Sequence, residues 1–437
     1  MNVSIMPCGE DCTQLIQNAI DECFLAGGGT VTLEDGEYHL GGIRMRSNIT
    51  LYLKSGVKLI ATRDIGKYDI IRRDTVEPIP DKYKTDTLWS KARPDRDNSY
   101  ILLPGSKWTD AIIRIVDASN VKIIAEKGAL IDGCNSYDPL GEERYRGVHG
   151  ISAYFSENLE FEGYTIKDTG NWAHCVYFCK NMSFRNITVL AGHDGIHVAA
   201  SDNIEISDCE MYTGDDAIAG FDLYRMTVRN CIVSTACSSF RIGGTDILIE
   251  NCRNVVPVKY SFRGSMTPEE KQAGAPSETG RKTTLSAFTY YSDFTLNVRH
   301  APGNIVIRNC SFEGTSRLLH YNFSGNEPWQ KNRPLDSITF ENVKAAGVGM
   351  SLCAYGSEEY PLTLKMTDCD ISFAEEQSSF VRAFGYKLIE LKNVNIKNVN
   401  GSTVRSYGCD GDIKVQDVKG TDETLAIADE EFFAKAI

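Results

Sequence analysis

The chain has 437 residues, a formal net charge of −13, 42% hydrophobic and 24% charged residues, a globular composition with enough apolar material for a continuous core and not that of a disordered chain. General nucleic-acid binding is excluded too, because counterion release needs clustered Lys and Arg, and no run reaches the roughly 18 apolar residues of a membrane span. The opening residues 1–8 lack a basic segment followed by an apolar one, so the expected location is cytoplasmic.

In chain order, the first predicted element is a helix over residues 10–27. Asp11-Cys-Thr-Gln14 has capping-box spacing, and Leu15, Ile16, Ala19, Ile20 and Cys23 form an apolar stripe that stops at Gly27-Gly-Gly29. Such a helix caps a solenoid, whose open strand edges otherwise invite aggregation.

Short period-2 strands of one shape then recur. After Asn120-Val-Lys-Ile-Ile come Asn158-Leu-Glu-Phe-Glu-Gly, Asn181-Met-Ser-Phe-Arg-Asn, Asn203-Ile-Glu-Ile-Ser-Asp, Arg225-Met-Thr-Val-Arg-Asn and Asp246-Ile-Leu-Ile-Glu-Asn. From 158 onward their starts are 23, 22, 22 and 21 residues apart. The shape returns near residues 304, 336, 364, 388 and 413. A period near 22 made of strands, without the Leu-x-x-Leu-x-Leu of a leucine-rich repeat, predicts an all-β parallel β-helix as a single domain over 1–437.

Each unit closes on Asn or Asp (Asn186, Asp208, Asn230, Asn251, Asn309, Asn342, Asp368, Asn393, Asp417), as expected where a polar side chain turns the chain. The next residue is Ile187, Cys209, Cys231, Cys252, Cys310, Val343, Cys369, Val394 or Val418. Cysteine thus alternates with Ile and Val in one inward column, as a small hydrophobe. Fourteen cysteines do not imply a disulfide scaffold at this length. Neither Cys8-x3-Cys12 nor Cys175-x3-Cys179 has a second pair at zinc-finger spacing, so no metal is expected there. Intervals at about 66–110, 136–150, 257–300 and 322–334 break the period and read as projecting loops, where solenoids usually carry function. Residues 421–437, with Leu425, Phe432, Phe433 and Ile437, are read as a C-terminal cap in a shorter helix.

The chemistry gathers in the most regular stretch. Gly192-His-Asp194-Gly-Ile-His197 is followed one coil later by Thr213-Gly-Asp215-Asp216. Asp194 and Asp216 are 22 residues apart, so a regular coil stacks them with a rise of about 4.8 Å, and Asp215 lies beside them. The column reads Trp172, Asp194, Asp216, Ser238. Carboxylates this close repel, which favours one staying protonated as a general acid while another holds water, the requirement for inverting glycosidic hydrolysis.

The segment from Asp194-Gly-Ile through Asn203-Ile-Glu-Ile to Gly214-Asp-Asp-Ala-Ile-Ala219 resembles the signature of the polygalacturonase family of glycoside hydrolases. Gly27-Gly-Gly29, Ser47-Asn-Ile-Thr-Leu-Tyr-Leu and Gly128-Ala-Leu-Ile-Asp-Gly133 resemble that family's opening coils. The resemblance implies a right-handed parallel β-helix, Asp215 as general acid, Asp194 and Asp216 activating water, and no metal or organic cofactor. The family's Gly-His-Gly is replaced by Cys237-Ser-Ser, its Arg-x-Lys by a stretch offering Arg263 alone, and its Asn-Thr by Gly192-His193. The acid–base set is kept while the uronate-reading set is altered, so the expected substrate is a pectin-type or related oligosaccharide or polysaccharide, with the sugar and the oligomeric state open.

Four of the seven histidines, His149, His174, His193 and His197, lie in this region. His174, His193 and His197 are expected to bond to sugar or acids, ahead of a metal role for His193-x3-His197. Arg241 and Arg263 are candidates for positive charge facing the substrate. Trp172, Tyr290, Tyr291, Tyr321 and Trp329 are candidates for stacking on sugar rings. The 257–300 insertion is expected to wall off one end of the groove, which favours exo-action. Two other classes stay open: a polysaccharide lyase, and a non-catalytic carbohydrate-binding β-helix.

Overall fold

The computed structural model describes residues 1–68, 110–136, 146–262, 280–292, 299–301, 303–325, 327–331, 333–408 and 411–428. They fall into two compact units, one running to Ala219 and taking in the segment that begins at Lys259, the other comprising Gly220–Val258 and the chain from Lys282 onward.

The first unit winds as a parallel β-helix in which every strand pairs with the strand one coil on. One ladder runs through Asn2–Ile5, Gly29–Leu33, Ile49–Leu53, Ser119–Ala125, Glu157–Glu162, Lys180–Arg185 and Asp202–Ser207. A second joins Gly36–Leu40, Val57–Ala61, Leu130–Asp132, Thr165–Lys167, Thr188–Ala191 and Glu210–Thr213. The third, Ile43–Met45, Ala111–Val116, His149–Tyr154, His174–Tyr177 and Ile196–Ala199, carries the carboxylate region at its strand entrances.

Period-2 alternation dictates what is inside. Val31, Leu51, Ile123, Phe161, Phe184 and Ile206 are in register with one another and essentially fully buried. Phe161 and Phe184 stack with ring centroids 4.7 Å apart. Outside, Asn48, Asn120, Asn158, Asn181 and Asn203 form a hydrogen-bonded ladder, each side-chain amide from Asn120 onward donating to the asparagine before it at 2.8–3.0 Å. All five have φ between 56° and 61°, a region in which Asn is among the few side chains tolerated.

The residues closing the repeats behave the same way. Asn186 and Asp208 in the first unit, and Asn230, Asn251, Asn309, Asn342, Asp368, Asn393 and Asp417 in the second, all have φ between 51° and 57°. The cysteines that follow are core residues: Cys209, Cys231, Cys252, Cys310 and Cys369 are at most 2% exposed. Each Sγ donates to the carbonyl two residues earlier at 3.2–3.3 Å.

In the second unit, Ser238–Glu250 pairs with Thr284–Tyr290 and Asn304–Arg308, and parallel pairing continues through Ser337–Glu341, Leu362–Phe384 and Tyr386–Ser406 to Asp412–Lys419 and Glu423–Ile427. The helix expected over 421–437 is strand at Glu423–Ile427, because a short alternating segment gains more by pairing with the preceding coil's edge than from an isolated helical turn. Phe432, Phe433 and Ile437 lie outside the described residues.

The α-helix found among the described residues, α1 (Thr13–Leu25), packs on the first coils through Ile16, Ala19, Ile20 and Cys23. Leu15 is 41% exposed and off that stripe, since an i, i+3, i+4, i+7 face starting at 16 excludes it. The capping box does not form: Asp11 Oδ1 accepts the Thr13 N–H at 3.0 Å, and Cys12 stands at the cap without a side-chain bond. Cys8 and Cys12 are joined by a disulfide across a Cα–Cα distance of 6.0 Å, a pairing the composition argument did not anticipate.

Candidate active site

The third ladder of the first unit brings the aspartates together. Ala173 N–H donates to the Asp194 carbonyl at 2.9 Å and Gly195 N–H to the Asp216 carbonyl at 3.0 Å, so Trp172, Asp194 and Asp216 occupy equivalent positions on successive coils. A Cβ on Gly195 would stand 2.5 Å from the Ala217 carbonyl oxygen, so only glycine permits this stacking. Asp194, Asp215 and Asp216 each offer a carboxylate oxygen within 4.8 Å of the other two. Asp194 and Asp216 are nearly buried, at 4% and 2% exposure, while Asp215 is more open.

Asp215 is held from several sides. Its Oδ1 accepts the N–H of Asp216 at 3.0 Å, its carbonyl accepts the Thr213 hydroxyl at 2.8 Å, and an Arg146 guanidinium nitrogen lies 3.8 Å from its Oδ2. The chain at residue 261 closes against the preceding glycine: a Cβ on Gly214 would stand 2.0 Å from the Ser261 carbonyl oxygen. Beside it, the Lys259 ammonium lies 3.8 Å from the Tyr212 ring centroid, a cation–π contact. The first residues of the 257–300 insertion therefore border the carboxylates. Arg263 lies outside the described residues.

Two of the expected histidines stay with the trio and one does not. His197 Nδ1 is 2.7 Å from Asp194 Oδ2, and its ring stacks on Trp172 with centroids 3.9 Å apart and planes 1° apart. His193 is 3% exposed and, one 22-residue coil ahead, in step with Asp215. His174, by contrast, is fully buried. Its Nε2 bonds to Tyr164 Oη at 2.8 Å, its Nδ1 to the Gly195 carbonyl at 3.0 Å, and Phe161 and Phe184 pack on its ring. Burial lowers its pKa to about 4, partly opposed by the Gly195 bond, so it is neutral near pH 7 and braces the turn carrying Asp194 from within.

The remaining candidates belong to the second unit. Arg241 lies over the Tyr291 ring at 4.2 Å and the Trp329 ring at 5.6 Å. Tyr290 and Tyr321 are buried and pack edge to face, as core residues and not sugar platforms. Ser238 lies 3.5 Å from Thr289 Oγ1. Arg146 was not anticipated, because it sits in an interval that breaks the repeat.

The sequence profile of glycosyl hydrolases family 28 matches residues 102–236, the stretch that contains all three aspartates. The chain is similar, at low identity, to polygalacturonases. A probable polygalacturonase of Vitis vinifera is 26% identical over 225 residues, 48% of this chain and 42% of the relative. The chain spans about half the length of the curated relatives it matches. Among solved structures, a family 28 exopolygalacturonase of Yersinia enterocolitica aligns with a TM-score of 0.59 at 14% identity, covering 97% of this chain and 78% of that one. A mannuronan C-5 epimerase module of Azotobacter vinelandii aligns with a TM-score of 0.53 at 12% identity over 97% and 96%. These structural likenesses establish the parallel β-helix and, spanning two chemistries, leave function to the site.

Proposed function

We propose that the chain is an inverting glycoside hydrolase cleaving an α-glycosidic bond in a pectin-type or related plant cell-wall oligosaccharide. Asp215 is the general acid, and Asp194 and Asp216 activate the attacking water. The observation that carries the reading is the trio of carboxylates within 4.8 Å of one another, inside the segment that matches a glycoside hydrolase family. Asp215, the most open of the three, delivers a proton to the leaving oxygen. Arg146 lies against it, a guanidinium nitrogen 3.8 Å from Oδ2.

Substrate contacts in this reading fall to His193 and Trp172 beside the trio, with Arg241 and Arg263 kept as substrate contacts on the sequence reading alone. His174 takes a supporting role. The coil is right-handed, the sense parallel crossovers adopt almost without exception, and α1 covers its first coil. No metal or organic cofactor takes part.

Inversion rests on the family resemblance, and a retained anomer would make one aspartate the nucleophile.

The test is incubation with pectic and neutral α-linked oligosaccharides. New reducing ends that vanish in Asp215→Asn support hydrolysis. Products absorbing in the ultraviolet would instead indicate a lyase, and binding without turnover, unchanged in Asp215→Asn, a non-catalytic carbohydrate binder.

A further inference from the structure

His197 is a candidate sugar contact by sequence, yet its geometry points elsewhere. The imidazole is 3% exposed, so little of it faces a substrate. Its Nδ1 is 2.7 Å from Asp194 Oδ2, with both side chains about nineteen-twentieths buried. Its plane is fixed by Trp172, parallel at 3.9 Å, with Tyr177 on the same ring at 6.1 Å and 14°. The residue opposite on the adjacent strand is Cys175, whose buried thiol is pushed up in pKa and stays neutral. The ring's Nδ1 is thus aimed at the Asp194 carboxylate.

We infer that His197 is the positioning residue of Asp194: Trp172 holds the imidazole in plane, Nδ1–H donates to Oδ2, and the carboxylate is kept in one rotamer. This rests on the hydrolase reading. A hydrogen bond to a carboxylate in a water-poor site is stronger than one at the surface, and it fixes direction as well as charge. It also supplies a histidine to the acid–base set in a chain whose Gly-His-Gly position reads Cys237-Ser-Ser. The two histidines differ in position, since this one partners the carboxylate three residues before it.

Two substitutions separate positioning from packing. His197→Phe keeps an aromatic ring against Trp172 and removes the donor, whereas His197→Asn removes the ring and keeps an N–H near the Nδ1 position. The expected result is a fall in kcat on the order of ten- to hundredfold for His197→Phe with KM nearly unchanged, and recovery of most of it in His197→Asn. A purely structural role predicts the reverse order, and a sugar contact predicts a change mainly in KM; either outcome overturns the inference. Nitrogen-15 NMR of the wild-type histidines gives a readout independent of substrate. A proton on His197 Nδ1 that is lost or exchange-broadened in Asp194→Asn is expected, and His197 carrying its proton on Nε2 alone would overturn the pairing. If the wild type hydrolyses nothing while the NMR signature holds, the hydrolase reading fails and the pairing stands.

Discussion

The guanidinium of Arg146 lies 3.8 Å from Oδ2 of Asp215, with the two side chains 20% and 15% exposed. It is a cation set against the proposed acid, and at this distance it favours the ionised carboxylate. Arg146→Gln removes that bias, so the acid keeps its proton to higher pH. The expected result is a basic limb of the kcat/KM profile displaced upward, read from rates across pH 4–9; displacement downward would contradict the pairing.

Removing the acid itself is more severe. Asp215→Asn keeps the shape and the Oδ1 acceptor for the Asp216 N–H but holds no transferable proton. Activity should fall by roughly 10²–10⁴, with an unchanged far-ultraviolet dichroism spectrum. Substrates with good leaving groups need less protonation and should lose less.

Stability depends on the asparagine ladder. Asn181 donates to Asn158 at 2.9 Å and accepts from Asn203 at 2.8 Å, at φ 56°. Asn181→Ala keeps a Cβ in the left-handed region without the short polar side chain that makes it tolerable there, and breaks both exposed bonds, a loss of about 1–2 kcal/mol by urea unfolding. Asn181→Gly should lose less, because glycine takes this φ without a steric penalty.

His174 makes stability depend on pH. Its pKa falls from 6.5 to about 4 on burial, so between those values the unfolded chain binds a proton that the folded one refuses. Stability contributed by the neutral ring is complete above about 6.5 and is lost as pH drops toward 4, on the order of 3 kcal/mol in all. Urea unfolding at pH 7.5 and 4.5 should show this difference shrink in His174→Leu; an unchanged difference would contradict a neutral buried ring.

Much of this was legible in the sequence because the coil repeats its constraints. Asn and Asp at the closing positions mark the left-handed backbone directly, and Asp194 and Asp216 at one full period stack as expected. His174 was misjudged although its column held the signal: it pairs with Ile151 on one side and Ile196 on the other, an inward apolar parity. Histidine's polarity concealed that its two nitrogens find Tyr164 and the Gly195 carbonyl inside the core. Arg146 and the aromatic neighbours of Arg241 come from segments outside the period, where no spacing rule connects residues distant in the chain. The final strand Glu423–Ile427 was hidden because five residues carry too little pattern to separate strand from helix without the pairing edge.

The most direct test of the central claim is time-resolved proton NMR of the first anomer released from an α-linked pectic oligosaccharide, for the wild type and Asp215→Asn. The account predicts a β-anomer that appears first in the wild type, then mutarotates, and is absent in the mutant. An α-anomer appearing first, or equal turnover by both proteins, would contradict it.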